Sequence, residues 1–336
     1  MKVLVTGGAG FIGSNFIRLL INNRPEWIIV NFDKLTYAGN LSSLADIADN
    51  DNYSFIKGDI AKLDEVRAVF ENGFDFVINF AAETHVDRSI YEPGLFLQTN
   101  VIGTQNLLDL AREFNVKRFL QISTDEVYGS IETGRQADET FSLAPNSPYA
   151  ASKASADLLC RSYFKTFAMP VIITRSCNNY GPYQFPEKVI PFFITRAINN
   201  STLPLYGDGS NIRNWIHVND NCEAILTVLE KGEPGEIYNV GGHSQLTNLE
   251  LTRTILKLLD KSEELIKFVA DRPGHDYRYA LDVSKIKNEL GWSPSIKFDI
   301  GIRKTIAWYE HNRSWWENIK SGEYLKFYDR HYRNRR

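Results

Sequence analysis

Residues 2–13 read KVLVTGGAGFIG: a short apolar run that breaks into glycines 7, 10 and 13 and passes at once into a helical pattern beginning Phe11-Ile12. A strand that enters a helix this abruptly needs a tight turn at Gly7. It also needs a bare backbone at Gly10, and a close helix–strand contact at Gly13. The unpaired N–H groups at such a helix start, at the positive end of its dipole, suit an anion such as a pyrophosphate. Asp33 lies twenty residues beyond Gly13, at the end of the apolar run Ile28 to Phe32. A carboxylate there accepts hydrogen bonds from a ribose and repels the extra phosphate of NADP, so the expected dinucleotide is NAD. Asp59-Ile60, after the third run, is placed to meet the adenine, an ordinary strand-end cap being the lesser alternative for Asp59.

Apolar β-rich runs recur at Lys2 to Val5, Ile28 to Phe32, Tyr53 to Ile56, Phe76 to Phe80, Phe119 to Ile122 and Val171 to Thr174. Helical spacing fills the gaps at Phe11 to Ile21, Asp64 to Phe70, Leu95 to Phe114 and Ala150 to Phe167. Strands apolar on both faces, alternating with helices, predict an α/β fold with a Rossmann-like, doubly wound parallel sheet. Its expected extent is residues 1–176. After Arg175, Gly181, Pro182, Pro186, Pro191 and Pro204 interrupt the pattern, so residues 177–336 are expected to be mainly a smaller C-terminal substrate-binding α/β domain. A helix over Ile216 to Leu229 and a strand over Ile237 to Val240 are expected to rejoin the first sheet. Arg330 to Arg336, with four arginines and a histidine, reads as a solvated terminus.

With 43% hydrophobic and 24% charged residues among 336, the chain has the composition of a soluble folded protein. Its net charge of −3 provides no field to attract nucleic acid or an anionic membrane. Cys160, Cys177 and Cys222 have no CxxC spacing, so neither a disulfide framework nor a metal site is expected. No apolar run approaches the roughly 20 residues of a membrane helix. The chain is read as cytoplasmic.

Tyr149 and Lys153, in SPYAASK, stand one helical turn apart and share a face. An ammonium there is expected to favour the phenolate and lower the tyrosine pKa, making an acid/base catalyst. With TGGAGFIG at Thr6 to Gly13 and a Ser/Thr strand end, the chain resembles the extended short-chain dehydrogenase/reductase superfamily. STDEVYG at Ser123 to Gly129, AAETHVDRSI at Ala81 to Ile90, DKLTYAGNL at Asp33 to Leu41, NNYGPYQFPEKVIP at Asn178 to Pro191 and DRPGHD at Asp271 to Asp276 resemble the dTDP-glucose 4,6-dehydratase family.

That resemblance implies a dehydration in stages. Tyr149, supported by Lys153 and Thr124, takes the proton of the sugar 4-hydroxyl as hydride leaves carbon 4 for NAD. Glu126 then removes the carbon 5 proton, Asp125 protonates the departing carbon 6 hydroxyl, and hydride returns to carbon 6 as a proton returns to carbon 5. The implied cofactor contacts are Gly7, Gly10, Phe11, Ile12, Gly13, Asp33, Lys34, Leu35, Thr36, Asp59, Ile60, Ala81, Ala82, Thr99 and Asn179, with Tyr149 and Lys153. The implied substrate contacts are Thr84, Asn178, Lys188, Val189, Pro204, Tyr206, Arg213, Asn239, Arg272 and His275, the cations and amides suiting a diphosphate. His85 is read as a structural or cofactor-loop residue.

The chain departs from the family pattern at Asn214, Asn219 and Asn221, where Asp, Glu and His are expected, and at Tyr277, where Arg is frequent. These positions leave a UDP- or CDP-linked hexose open as substrate. A 4-epimerase or decarboxylase would keep Tyr149 and Lys153 without needing the Asp125-Glu126 pair. The helices over Leu95 to Phe114 and Ala150 to Phe167 are expected to pair across a two-fold in a homodimer.

Overall fold

The computed structural model describes residues 1–319; the arginine-rich Arg330 to Arg336 segment lies outside them. The chain runs β1 (Lys2–Thr6), α1 (Phe11–Asn23), β2 (Ile28–Asp33), β3 (Tyr53–Lys57), α2 (Leu63–Phe70), β4 (Phe76–Asn79), α3 (Val86–Tyr91), α4 (Pro93–Phe96), α5 (Thr104–Glu113), β5 (Arg118–Thr124), α6 (Pro148–Phe167) and β6 (Val171–Ser176). There follow β7 (Asn178–Tyr180), α7 (Val189–Ile198), β8 (Leu203–Tyr206), β9 (Ile212–His217), α8 (Val218–Lys231), β10 (Ile237–Val240), β11 (Ser244–Thr247), α9 (Asn248–Leu258), β12 (Ile266–Val269), α10 (Ser284–Leu290), α11 (Phe298–His311) and α12 (Arg313–Ile319).

Seven strands form one parallel sheet in the order β10-β6-β5-β4-β1-β2-β3. Alternate residues of β1 enter opposite cores, as a pleated strand dictates. Val3 and Val5 pack with Phe16, Ile17 and Leu20 of α1 and with Ile225 and Leu229 of α8. Leu4 packs with Val66 and Val69 of α2, Leu107 and Leu108 of α5, and Cys160 of α6. With both faces covered, strands this uniformly apolar can exist only as the inner layer. Each fully buried Leu, Ile or Phe stabilises it by about 1.5–3 kcal/mol. Chain direction diverges between β1 and β4, and in such sheets a ligand cleft opens at the carboxyl ends of the strands that flank this point.

A separate core of Ile190, Phe193, Leu203, Trp215, Leu251, Ile255, Ile302 and Tyr309 lies under α7, α9 and α11. Small sheets of β11-β9-β7 and β12-β8 accompany it. Among the described residues no helix is long and apolar enough to cross a membrane.

Two local expectations change. The region Leu95 to Phe114 is a helix interrupted by a π-helical stretch over Leu97–Gly103. Within it Asn100 is buried, receiving the Glu83 N–H at 2.8 Å and donating to the Glu83 carbonyl (3.0 Å) and Ser152 Oγ (2.8 Å). The helix expected from Ile216 begins at Val218 instead, because Ile216 and His217 belong to β9 and His217 Nδ1 caps the helix by accepting the Asn219 N–H at 3.3 Å.

Candidate active site

The Gly7 turn is enforced by its surroundings. Gly7 has φ +69°, and a Cβ there would sit 2.5 Å from the Ala81 nitrogen in the loop after β4. A Cβ on Gly13 would sit 2.5 Å from the Gly7 carbonyl oxygen, so α1 reaches β1 only because position 13 has no side chain. Gly10 differs. It is extended (φ −79°, ψ 177°), and a Cβ there would meet only the Gly7 oxygen, at 3.2 Å; its other side faces the cleft. That bare approach at a helix N-terminus is a cradle fit for a pyrophosphate.

The cleft over these glycines has a volume of about 290 Å³. Gly7, Gly10, Phe11, Ile12, Gly13, Asp33, Lys34, Thr36, Asp59, Ile60, Ala81, Ala82, Thr99 and Asn179 all line it. Asp33 accepts the Ala9 N–H at 2.9 Å and the Leu35 N–H at 2.7 Å, yet burial still raises its pKa. Lys34, the cation nearest in sequence, is engaged by Asp59 at 2.7 Å. A carboxylate at the ribose position and an engaged lysine fit NAD and leave no obvious seat for a 2′-phosphate. Leu35 is absent from the lining. It takes up φ 56°, and its N–H reaches Asp33 Oδ1, so its backbone helps to fix the ribose-side carboxylate.

The far wall of the same cleft carries the proton-transfer groups. Ser147 Oγ accepts the Ala150 N–H at 3.1 Å and Pro148 opens the first turn, which starts α6 where Tyr149 and Lys153 face the cleft. Lys153 Nζ is buried and donates to the Ile122 carbonyl at 2.6 Å. Burial lowers the pKa of Lys153, opposed by Asp157 one turn further along the helix. Tyr149, with its ring edge toward Phe96, does not show the expected lowering. Burial of the phenol, reinforced by Glu126, pushes its pKa up, and only the Thr124 hydroxyl hydrogen-bonded to it opposes this. The lysine ammonium is directed at a carbonyl and does not offset the loss of water around the phenol.

At the end of β5, Thr124 Oγ1 accepts the Glu126 N–H at 3.3 Å and opens a 3₁₀ turn over Asp125–Tyr128. The two acids of this turn lie in different surroundings. Glu126 lines the cleft, and although burial raises its pKa, Arg272, Arg213 and Lys188 pull it back toward the carboxylate. Asp125 sits behind the wall, 3% exposed, its Oδ2 without a hydrogen-bond partner and its Oδ1 3.4 Å from Thr124 Oγ1. Burial first, and then Glu126, push its pKa well up, which favours the protonated form. Burial raises both carboxyls, Asp125 far more than the cation-flanked Glu126, and two neighbouring acids set apart in this way are equipped to act as acid and base.

A second cleft of about 180 Å³ adjoins the first, and Glu126, Asn178, Glu187 and Lys188 line both. Val189, Pro204, Tyr206, Arg213, Arg272 and His275 line the second, while Thr84 lines the first and receives Lys188 Nζ on its carbonyl at 2.8 Å. Arg213 is buried over the Tyr279 ring, 4.3 Å from its centroid. Its pKa is lowered by burial and by Arg272, and burial, then Arg272 and Arg213, bring His275 down to about 4. Cations packed closely enough to repel one another suit an anionic ligand. Asn239 does not belong to this cleft. It is fully buried, donating to the Ala137 (3.0 Å) and Asp282 (3.1 Å) carbonyls and accepting from Tyr128 Oη at 2.9 Å, so it is a structural residue.

Residue-by-residue reading missed Glu187. Its buried carboxyl accepts from Tyr37 Oη at 3.1 Å and lies 3.7 Å from His85 Nε2, and burial raises its pKa to about 7. The only sequence signal was its place beside Lys188 in FPEK. His85 Nδ1 accepts the Arg88 N–H at 3.4 Å and caps α3, in keeping with a structural histidine.

Residues 4–305 match the family model described as GDP-mannose 4,6 dehydratase. A dTDP-glucose 4,6-dehydratase of Streptomyces niveus is 50% identical over 325 residues, 96% of each chain. The crystal structure of DesIV, a dTDP-glucose 4,6-dehydratase from Streptomyces venezuelae with NAD and dTDP bound, superposes with a TM-score of 0.93 at 49% identity over 95% of this chain and all of the other. The UDP-glucose 4-epimerase of Thermus thermophilus in complex with NAD shares the fold at a TM-score of 0.86 but only 30% identity, over 93% of this chain and all of the other. The Gly-rich cradle, the two joined clefts and these likenesses agree, and the chain belongs to the dTDP-glucose 4,6-dehydratase family, within the broader GDP-mannose 4,6 dehydratase family.

Proposed function

We propose that this protein holds NAD and converts dTDP-glucose to dTDP-4-keto-6-deoxyglucose and water. The observation that carries the reading is Glu126, which lines both the cofactor cleft and the cationic cleft and acts on Tyr149, with the buried Asp125 carboxyl beside it on the same turn. An epimerase or decarboxylase needs an oxidation–reduction pair there and has no use for a neutral acid beside a cation-held base.

Gly7, Gly10 and Gly13 bind the dinucleotide diphosphate, Asp33 its ribose, and Asp59 and Ile60 its adenine end. Bound NAD supplies the hydride acceptor for carbon 4, the donor for carbon 6 and a positive charge in the cleft. Tyr149 takes the proton of the 4-hydroxyl, with the Thr124 hydroxyl bonded to it and the cofactor's positive charge joining the Lys153 ammonium, one helical turn away, to favour the phenolate that burial alone opposes. A 4-ketone acidifies the hydrogen on carbon 5, which Glu126 removes. Asp125, whose protonated form burial favours, gives its proton to the departing 6-hydroxyl and water leaves; hydride then goes to carbon 6 and Glu126 returns a proton to carbon 5. Arg213, Arg272 and Lys188 hold the diphosphate of the substrate, with Asn178, Tyr206 and His275 beside them and Thr84 toward the hexose. The buried thiols of Cys160, Cys177 and Cys222 are compatible with a cytoplasmic site of action.

The protein works as a homodimer. Leu95, Leu97, Ile102 and Leu158, between 39% and 56% exposed along the helices around α5 and α6, support this reading. The functional assignment is tested by incubating purified protein with dTDP-, UDP- and CDP-glucose and GDP-mannose. Loss of one water from dTDP-glucose to give the 4-keto-6-deoxy sugar is expected; a 4-epimer, or turnover of another nucleotide sugar in preference, overturns it.

A further inference from the structure

The two pairs assigned to oxidation and elimination sit on different elements, Tyr149 and Lys153 on α6 and Asp125 and Glu126 on the turn after β5. A buried chain of side chains joins them. Asp157 stands one helical turn beyond Lys153 and is 1% exposed; its Oδ2 accepts from Arg175 Nε at 2.9 Å. Arg175, on β6 and 3% exposed, uses Nη1 to donate to Tyr128 Oη at 2.9 Å, and its guanidinium lies 4.9 Å from the centre of the Tyr128 ring. Tyr128 is the last residue of the acid-bearing turn, two positions after Glu126. Its hydroxyl donates in turn to Asn239 Oδ1 at 2.9 Å, and Asn239 is itself anchored to two backbone carbonyls.

A charged pair placed beneath a catalytic wall is costly to bury and adds little stability over an apolar pair of the same volume, whereas its directional bonds fix geometry. We propose that Arg175, held by Asp157 and gripping Tyr128, is a positioning residue that sets the elimination acids against the oxidation pair. Neither Arg175 nor Tyr128 lines either cleft, so both act through Asp125 and Glu126. The inference rests on the dehydratase reading above, since only that reaction needs two proton-transfer pairs in fixed register. A loosened turn leaves α6 and the cofactor cleft in place. Oxidation at carbon 4 should then continue while loss of water is delayed.

The test is Tyr128→Phe, which removes one hydroxyl and keeps the ring, with Arg175→Lys as a second variant that keeps the charge for Asp157 but loses the fork. NAD-loaded protein is mixed rapidly with dTDP-glucose, and NADH absorbance and 4-keto-6-deoxy product are followed together. In Tyr128→Phe the first rise of NADH should keep the unmutated rate, and product formation should slow about 10- to 100-fold, the cost of a displacement of an ångström or less at reacting groups. Bound NADH therefore accumulates. Arg175→Lys should give the same signature. If both variants form product at the unmutated rate, or lose NADH formation and product formation in equal measure, the positioning role is wrong and the chain of contacts is structural only. If one variant is poorly folded, the signature of the other decides. Failure of the unmutated protein to form product would instead remove the dehydratase reading, and this inference with it.

Discussion

Two alanine substitutions three residues apart should separate the folding role of the glycine turn from its binding role. At Gly13 an added Cβ meets the Gly7 oxygen at 2.5 Å and the Gly8 Cα at 2.8 Å. Both are backbone atoms that no rotamer change can move aside, so α1 must shift off β1, at the roughly 1–3 kcal/mol typical of an overpacked site. At Gly10 the backbone is extended, with φ −79°, and the only neighbour is the Gly7 oxygen at 3.2 Å. Alanine there restricts the unfolded chain, a gain of about 0.4–1 kcal/mol that offsets the tight contact, so net stability should stay within about 1 kcal/mol of the unmutated protein. The methyl group, however, occupies the approach to the diphosphate. A ligand at 100 times its Kd stabilises the fold by about 2.7 kcal/mol, and this increment should vanish in Gly10→Ala. Chemical denaturation of protein stripped of cofactor, with and without added NAD, measures both quantities. Gly10→Ala with the full NAD increment, or Gly13→Ala as stable as Gly10→Ala, would refute the division of roles.

Three further outcomes are expected. Tyr149→Phe should abolish NADH formation on mixing with dTDP-glucose, whereas Asp125→Asn should form NADH and stall before water loss and Glu126→Gln should also lose solvent deuterium exchange at carbon 5; rapid-mixing absorbance and mass spectrometry distinguish them. Glu187 in the folded protein titrates near 7 because of burial, above the 4.5 of a free glutamate. The folded state therefore binds more protons between these values, and stability falls as pH rises through that window. Glu187→Gln removes the fall, so its melting temperature should gain on that of the unmutated protein between pH 5 and pH 8; a pH-independent difference contradicts the burial of that carboxyl. Light scattering should give a particle of twice the 38.4 kDa chain mass, and a 38.4 kDa particle at micromolar concentration contradicts the dimer.

Much of this molecule is legible in its sequence because the physics is local. Val3, Leu4 and Val5 are apolar on both pleat faces, which only a covered parallel strand tolerates, and Gly10 and Gly13 answer contacts with Gly7 and Gly8, although Gly7 itself answers Ala81 in the loop after β4. Tyr149 and Lys153 share a helix face by spacing alone. What escaped depends on distant chain segments. Nothing around Asn239 distinguishes a ligand contact from an amide satisfied by Tyr128, Ala137 and Asp282, more than 40 residues away. In the π-helical stretch Asn100 and Gly103 turn inward while Leu97 and Ile102 stay exposed, so the apolar spacing of Leu95 to Phe114 does not report it. Glu187 is an ordinary acid in the sequence and becomes distinctive only where Tyr37 and His85 enclose it. The direction of the Tyr149 shift was misjudged for a related reason. Helical spacing places the lysine beside the tyrosine, but the depth of burial and the Ile122 carbonyl that holds Lys153 Nζ are tertiary facts.

The central claim is that one site oxidises carbon 4, expels the carbon 6 hydroxyl and reduces carbon 6 without exchanging its cofactor. Incubating NAD-loaded protein with dTDP-glucose deuterated at carbon 4, in ordinary water, tests it directly. The product should be a 4-keto-6-deoxy sugar with the deuterium on carbon 6 of the same molecule. Deuterium lost to solvent or left at carbon 4 would contradict the account.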